Sequence, residues 1–178
     1  MSILSLVQAQ RPNNRETLVT AAVFALQTTI AVFAVHAIYS AIRAPAEMWA
    51  MISAVLVLQA GFQQGLASSL TRFVANVVGA GVGVLVAVAW GRHTAEIAVA
   101  LVIVVFACEG LRLDLGLRSA CASTIIVMHG VSENSVLMTG IERAESVALG
   151  CGVAILLQLA VYVLTQYHRK GEAVEGAE

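Results

Sequence analysis

Three uninterrupted apolar blocks, at 17–38, 73–90 and 147–164, decide most of what this chain can become. A helix of about 20 residues rises roughly 30 Å, the thickness of a bilayer's hydrocarbon core. Blocks this long leave little room for the charged face that a water-soluble helix carries. Of the 178 residues 59% are hydrophobic and only 12% charged, about half the charge of an ordinary soluble domain. The runs are continuous and Ala-rich, without the alternation that strands of a membrane barrel show. The sequence therefore predicts an all-α integral membrane protein. A formal net charge of −1 with thinly spread basic residues offers nucleic acid no footprint, and membrane lipid is the expected partner.

Polar and glycine breaks divide the chain into six predicted transmembrane helices, at 16–42, 47–62, 68–90, 95–111, 117–129 and 141–167, together a membrane domain at 16–167. An arm at 1–15 precedes them, and a polar tail at 168–178, expected to lack order, follows. Pro45 marks the first connection, Gln63, Gln64 and Gly65 the second break, and Gly130 with Ser132, Glu133 and Asn134 the last. Arg11 and Arg15 precede a first span too long for the apolar region of a signal peptide, so that span is expected to stay. With the N-terminus in the cytoplasm, Arg11, Arg15, Arg72, Arg112, Arg118, Arg169 and Lys170 lie inside, and Arg43, Arg92 and Arg143 outside. That excess in short loops places both termini in the cytoplasm. Cys108, Cys121 and Cys151 sit in apolar stretches with no C-x-x-C. They read as small packing residues, with neither a disulfide framework nor a metal site.

An offset of 71 residues relates the two halves. Arg72 with Gly79 and Gly81, and Arg143 with Gly150 and Gly152, both spell R-x6-G-x-G. The same offset pairs Ser53-Ala54-Val55-Leu56 with Thr124-Ile125-Ile126-Val127, Leu66 with Leu137, and Ser68 with Thr139. The first repeat is 16–90 and the second 95–167. Three helices is an odd number, so the second unit starts from the opposite membrane face and the repeat is inverted. Arg72, Asn76, Gly79 and Gly83 share a face of their helix. Gly79 and Gly83, and Gly150 and Gly152, are expected to pack helix backbones closely. Arg72 and Arg143 are expected at the interface, where an Arg reaches the headgroups.

The segment from Trp49 through Ser53-Ala54-Val55-Leu56 to Gln59 resembles a conserved stretch of the fusaric acid resistance and aromatic acid exporter superfamily. Arg72 with Gly79, and Arg143 with Glu145 and Gly150, resemble that family's glycine-bearing helices. The resemblance spans 16–166, with Ala75-Asn76 where the family has Gly-Thr and Ala60 where it has Pro. Many members add large cytoplasmic domains that are not among these residues. The resemblance implies a six-helix module of the bacterial inner (plasma) membrane associated with efflux of aromatic or organic acids.

The second and fifth helices are short and occupy matching places in the repeats, which points to a binding site between them. Ser53, Gln59 and Gln63 from one, and Ser123, Thr124 and His129 from the other, are expected to line a cavity. Arg72, with Asn76 beside it, would supply positive charge for an organic anion. Ser and Thr bonding to their own helices is the structural alternative. Glu109, near the end of a span, is a candidate for proton coupling, or an interfacial partner of Arg112. No catalytic motif, cofactor signature or metal cluster is present. The expected function is transport of small organic, including aromatic, anions. A non-transporting subunit or scaffold of a larger membrane complex is the alternative, and a channel the second alternative. A homo-oligomer is expected, with partner membrane subunits under the scaffold reading.

Overall fold

A computed structural model describes residues 14–44, 46–59, 62–130 and 135–175. Most of the N-terminal arm with Arg11, the Pro45 and Ala60 positions, the 131–134 connection and the end of the tail lie outside the described residues. Among the described residues the chain is all-helical, with six α-helices and one short 3-10 turn. They are α1 (Asn14–Ile42), α2 (Glu47–Val57), α3 (Phe62–Ala89), α4 (Thr94–Gly110), the turn at Asp114–Gly116, α5 (Leu117–His129) and α6 (Val136–Glu175). Three of them, α1, α3 and α6, are long and apolar enough to cross a membrane. The others, of 11, 17 and 13 residues, reach roughly 17, 26 and 20 Å.

Four boundaries differ most from the sequence reading, three of them for a local reason. Helix α2 stops at Val57 instead of 62 because Leu58 turns to extended backbone, φ −64° and ψ 127°. The Val57 carbonyl, left without a helical donor, accepts the Gln158 side-chain amide at 3.1 Å. Helix α3 starts at Phe62, six residues before the expected 68. Gln63 and Gln64 form helix readily, and Gly65 does not break it but admits the Gln158 side chain against its backbone. Helix α6 starts at Val136 and not at 141, with the Ser135 hydroxyl accepting the Met138 N–H at 3.3 Å, a capping bond. It runs on through the tail to Glu175, where order was not expected. In α1 and α4 the end is a left-handed arginine, Arg43 at φ 52° and Arg112 at φ 56°.

Packing inverts the pattern of a water-soluble fold. Large apolar side chains such as Leu18, Phe33, Leu85, Phe106 and Leu156 face outward, whereas Ser53, Asn76, Ser123, Thr124 and Ser146 are buried. So much exposed apolar surface is stable only in lipid. The three buried apolar clusters do not follow chain order. One joins Ala31 and Val35 of α1, Ala54 and Val57 of α2, and Val147 and Ala154 of α6. The other two both join α3, α4 and α5, through Ala75, Val104, Cys108 and Ala120 in one and Val86, Ala100 and Met128 in the next. Each long third helix thus completes the core of the opposite half.

Contact registers give the helix directions. Gly65 of α3 stands against Gln158 of α6, and Gly140 of α6 against Val84 of α3, so these two run antiparallel. Gly79 and Gly83 face Ala120 and Thr124, so α3 and α5 run in the same sense. So do α2 and α6, through Ala50 against Gly150 and Val57 against Gln158. Exchanging α1, α2 and α3 for α4, α5 and α6 maps every helix–helix contact onto another, except α3 with α6, which maps onto itself.

Candidate functional site

The polar interior is built on α3 and α6, where each meets a short helix. At the α3–α5 seam, Asn76 is fully buried. Its amide donates to the Arg72 carbonyl at 2.8 Å and to the Ser119 hydroxyl. The Ser123 hydroxyl donates to the Asn76 carbonyl at 3.0 Å, and Thr124 shares its proton between the Gly79 carbonyl, 2.9 Å, and its own helix at Ala120, 3.1 Å. Such bonds across membrane helices contribute about 0.6 kcal/mol each. Backbones approach this closely because Gly79 has no Cβ. A methyl there would lie 2.8 Å from the Ala120 Cα and closer still to its carbonyl oxygen. At the α2–α6 seam Gly150 does the same, with a Cβ falling 3.0 Å from the Ser53 Cβ and onto the Ala50 carbonyl oxygen. The second glycine of each motif is different. Neither Gly81 nor Gly152 has any atom within 4 Å of where a Cβ would stand, so Gly152 is not part of the close seam.

The two arginines are not at helix starts. Arg72 is ten residues into α3 and Arg143 seven into α6, depths of roughly 15 and 10 Å. Arg143 is 97% buried, being 3% exposed, and its guanidinium lies over the Trp49 ring, 4.4 Å from the ring centre. Trp49 thus holds Arg143 by a cation–π contact. The Nε and Nη1 of Arg143 and the Nε of Arg72 are buried without hydrogen-bond partners, as are the Ser53 and Ser69 hydroxyls and the Asn76 Oδ1. Idle guanidinium donors of this kind are best satisfied by a carboxylate, which can take them in a bidentate fork.

Of the residues singled out from sequence, Asn76, Ser123, Thr124, Gly79 and Gly83 come together at the α3–α5 seam, and Arg72 joins them through its backbone carbonyl. Ser53 is buried on α2 against α6, and α2 and α5 make no contact among the described residues. Gln59, Gln63 and His129 are exposed. Gln59 lines a surface hollow with Gln64 and Leu115. Glu109 is exposed at the end of α4, its carbonyl accepting the Arg112 N–H at 3.0 Å. The three cysteines are free. Arg143, Trp49 and Gln158 were not among the expected site residues. Arg143 was reachable as the partner of Arg72 at the 71-residue offset, and Gln158 as a lone amide inside an apolar helix.

No curated protein and no solved structure matches the chain. The family model described as aromatic acid exporter family member 1 matches residues 20–161. That stretch takes in most of α1, the whole of α2 to α5 and most of α6, with both arginines. With its outward apolar surface and its membrane-length helices, this chain is a membrane protein belonging to the aromatic acid exporter family.

Proposed function

We propose that the chain is a six-crossing permease module for small organic anions, aromatic carboxylates included, with Arg72 as the charge that draws the substrate inward. The observation that carries this reading is the half-buried Arg72 and the fully buried Arg143, each with buried donors that lack partners, in a family of exporters. A cation at this depth is costly unless it serves an ion path. Asn76, Ser53, Ser123 and Thr124 form the polar surroundings. Gln59, Gln63 and His129 would act at the approaches. The two halves act as an inverted repeat, and the antiparallel register of α3 and α6 supports this, as does the exchange of contacts between halves. Setting Arg72 and Arg143 aside leaves six basic residues on the N-terminal side against Arg43 and Arg92, which supports cytoplasmic termini in an inner membrane.

Benzoate flux in vesicles tests the reading. Arg72→Ala should lower flux at least about tenfold, the cost of removing one partner of a buried charge pair. Flux at the wild-type rate would end it. One observation favours a second reading, a non-transporting subunit of a larger complex: Asn76, Ser123 and Thr124 already bond to neighbouring backbones. Gentle purification from native membranes, with identification of any companion chains, separates the two.

A further inference from the structure

We propose that Arg72 and Arg143 together form one site for a small rigid dianion, a dicarboxylate that places one carboxylate on each guanidinium. The inference rests on the anion-permease reading and names the substrate class of the same centre. Each arginine has its own idle donors: Nε of Arg72, and Nε and Nη1 of Arg143. The antiparallel register sets Gly65 against Gln158 and Val84 against Gly140, which brings Arg143 level with Ala80 of α3. Arg72 and Ala80 are eight residues apart on that helix, roughly 12 Å along its axis. A single carboxylate can face one fork well, but it leaves the second cation without a counter-charge in a poorly solvated interior. An aromatic ring with carboxylates at opposite ends answers both. Trp49 fixes one end of the site by holding the Arg143 guanidinium from behind.

The experiment uses the full chain in lipid nanodiscs, with binding of benzoate and of terephthalate measured by calorimetry. Terephthalate should bind roughly 10- to 100-fold more tightly than benzoate, the worth of one further charge-assisted contact. Arg72→Gln and Arg143→Gln should each abolish that preference, leaving both ligands at the benzoate level. Arg143→Lys retains the charge, so it should keep part of the preference. It also guards against a glutamine variant that fails to fold, which size-exclusion profiles would reveal. Equal affinity for the two ligands in the wild-type chain would overturn the dianion site while leaving an anion site at Arg72 standing. So would an unchanged preference in a folded Arg143→Gln chain. Binding of neither ligand would remove both this inference and the permease reading beneath it.

Discussion

Gly79 and Gly81 are two residues apart on one helix, and the structure assigns their alanine variants opposite signs. In Gly79→Ala the new methyl would lie 2.8 Å from the Ala120 Cα and carbonyl carbon, both backbone atoms, against 3.4 Å for ordinary contact. Helices α3 and α5 must therefore part by at least about 0.6 Å, the difference between those two distances, and by more to clear the Ala120 carbonyl oxygen, which lies closer still. Overpacking of this kind costs about 1–3 kcal/mol. The same parting stretches the Thr124 bond to Gly79 from 2.9 Å and the Ser123 bond to Asn76 from 3.0 Å, to the edge of useful geometry. Losing both adds about 1.2 kcal/mol, for a total near 2–4 kcal/mol. Gly81→Ala meets nothing within 4 Å and gains helix propensity worth about 0.5–1 kcal/mol. Gly150→Ala and Gly152→Ala should repeat the contrast on α6. Unfolding by titration with a denaturing detergent, followed by circular dichroism, measures all four. If Gly79→Ala proved as stable as Gly81→Ala, the close α3–α5 seam would be wrong.

Further tests address single contacts. Gln158→Leu leaves the Val57 carbonyl without its donor and should cost about 1–3 kcal/mol in the same titration; no loss would show that α2 needs no such cap. An Asn76→Ala, Ser119→Ala double-mutant cycle should give a coupling of about 0.6 kcal/mol and at most about 1.7, and zero coupling would deny their contact. Arg143→Gln should change Trp49 fluorescence, read in a Trp90→Phe background, since the guanidinium covers that ring at 4.4 Å. Under native conditions a small membrane-permeant maleimide should label Cys121 ahead of the buried Cys108 and Cys151. Equal labelling of all three would contradict the packing.

What the sequence made legible was what repeats or runs long. The apolar blocks announced helices and lipid, and the matching Arg and Gly positions pointed to two related halves. Local chemistry that depends on a distant partner was hidden. Gln63, Gln64 and Gly65 looked like a break because nothing nearby in sequence shows that Gln158 settles on Gly65. Arg72 and Arg143 looked interfacial because the true starts of α3 and α6 lie several residues earlier, which sinks both side chains toward the interior. Ser123 and Thr124 were singled out for a cavity with α2. Polarity alone does not reveal that their hydroxyls reach the backbone of α3. Gly79 and Gly81 are chemically identical, and only the direction each faces distinguishes a tight seam from open space.

The exchange of third helices has a consequence for biosynthesis. When α1 and α2 have left the ribosome, the helix that seals them is α6, whose first residue, Val136, comes 79 positions after Val57 closes α2. Until then that early pair must wait in the bilayer half-assembled, open to misassociation and to quality-control proteases. The prediction is concrete: cells given 1–92 alone should degrade it quickly, and supplying 93–178 from a second plasmid should prolong its life. Fragments as durable apart as together would mean that neither depends on the helix it borrows.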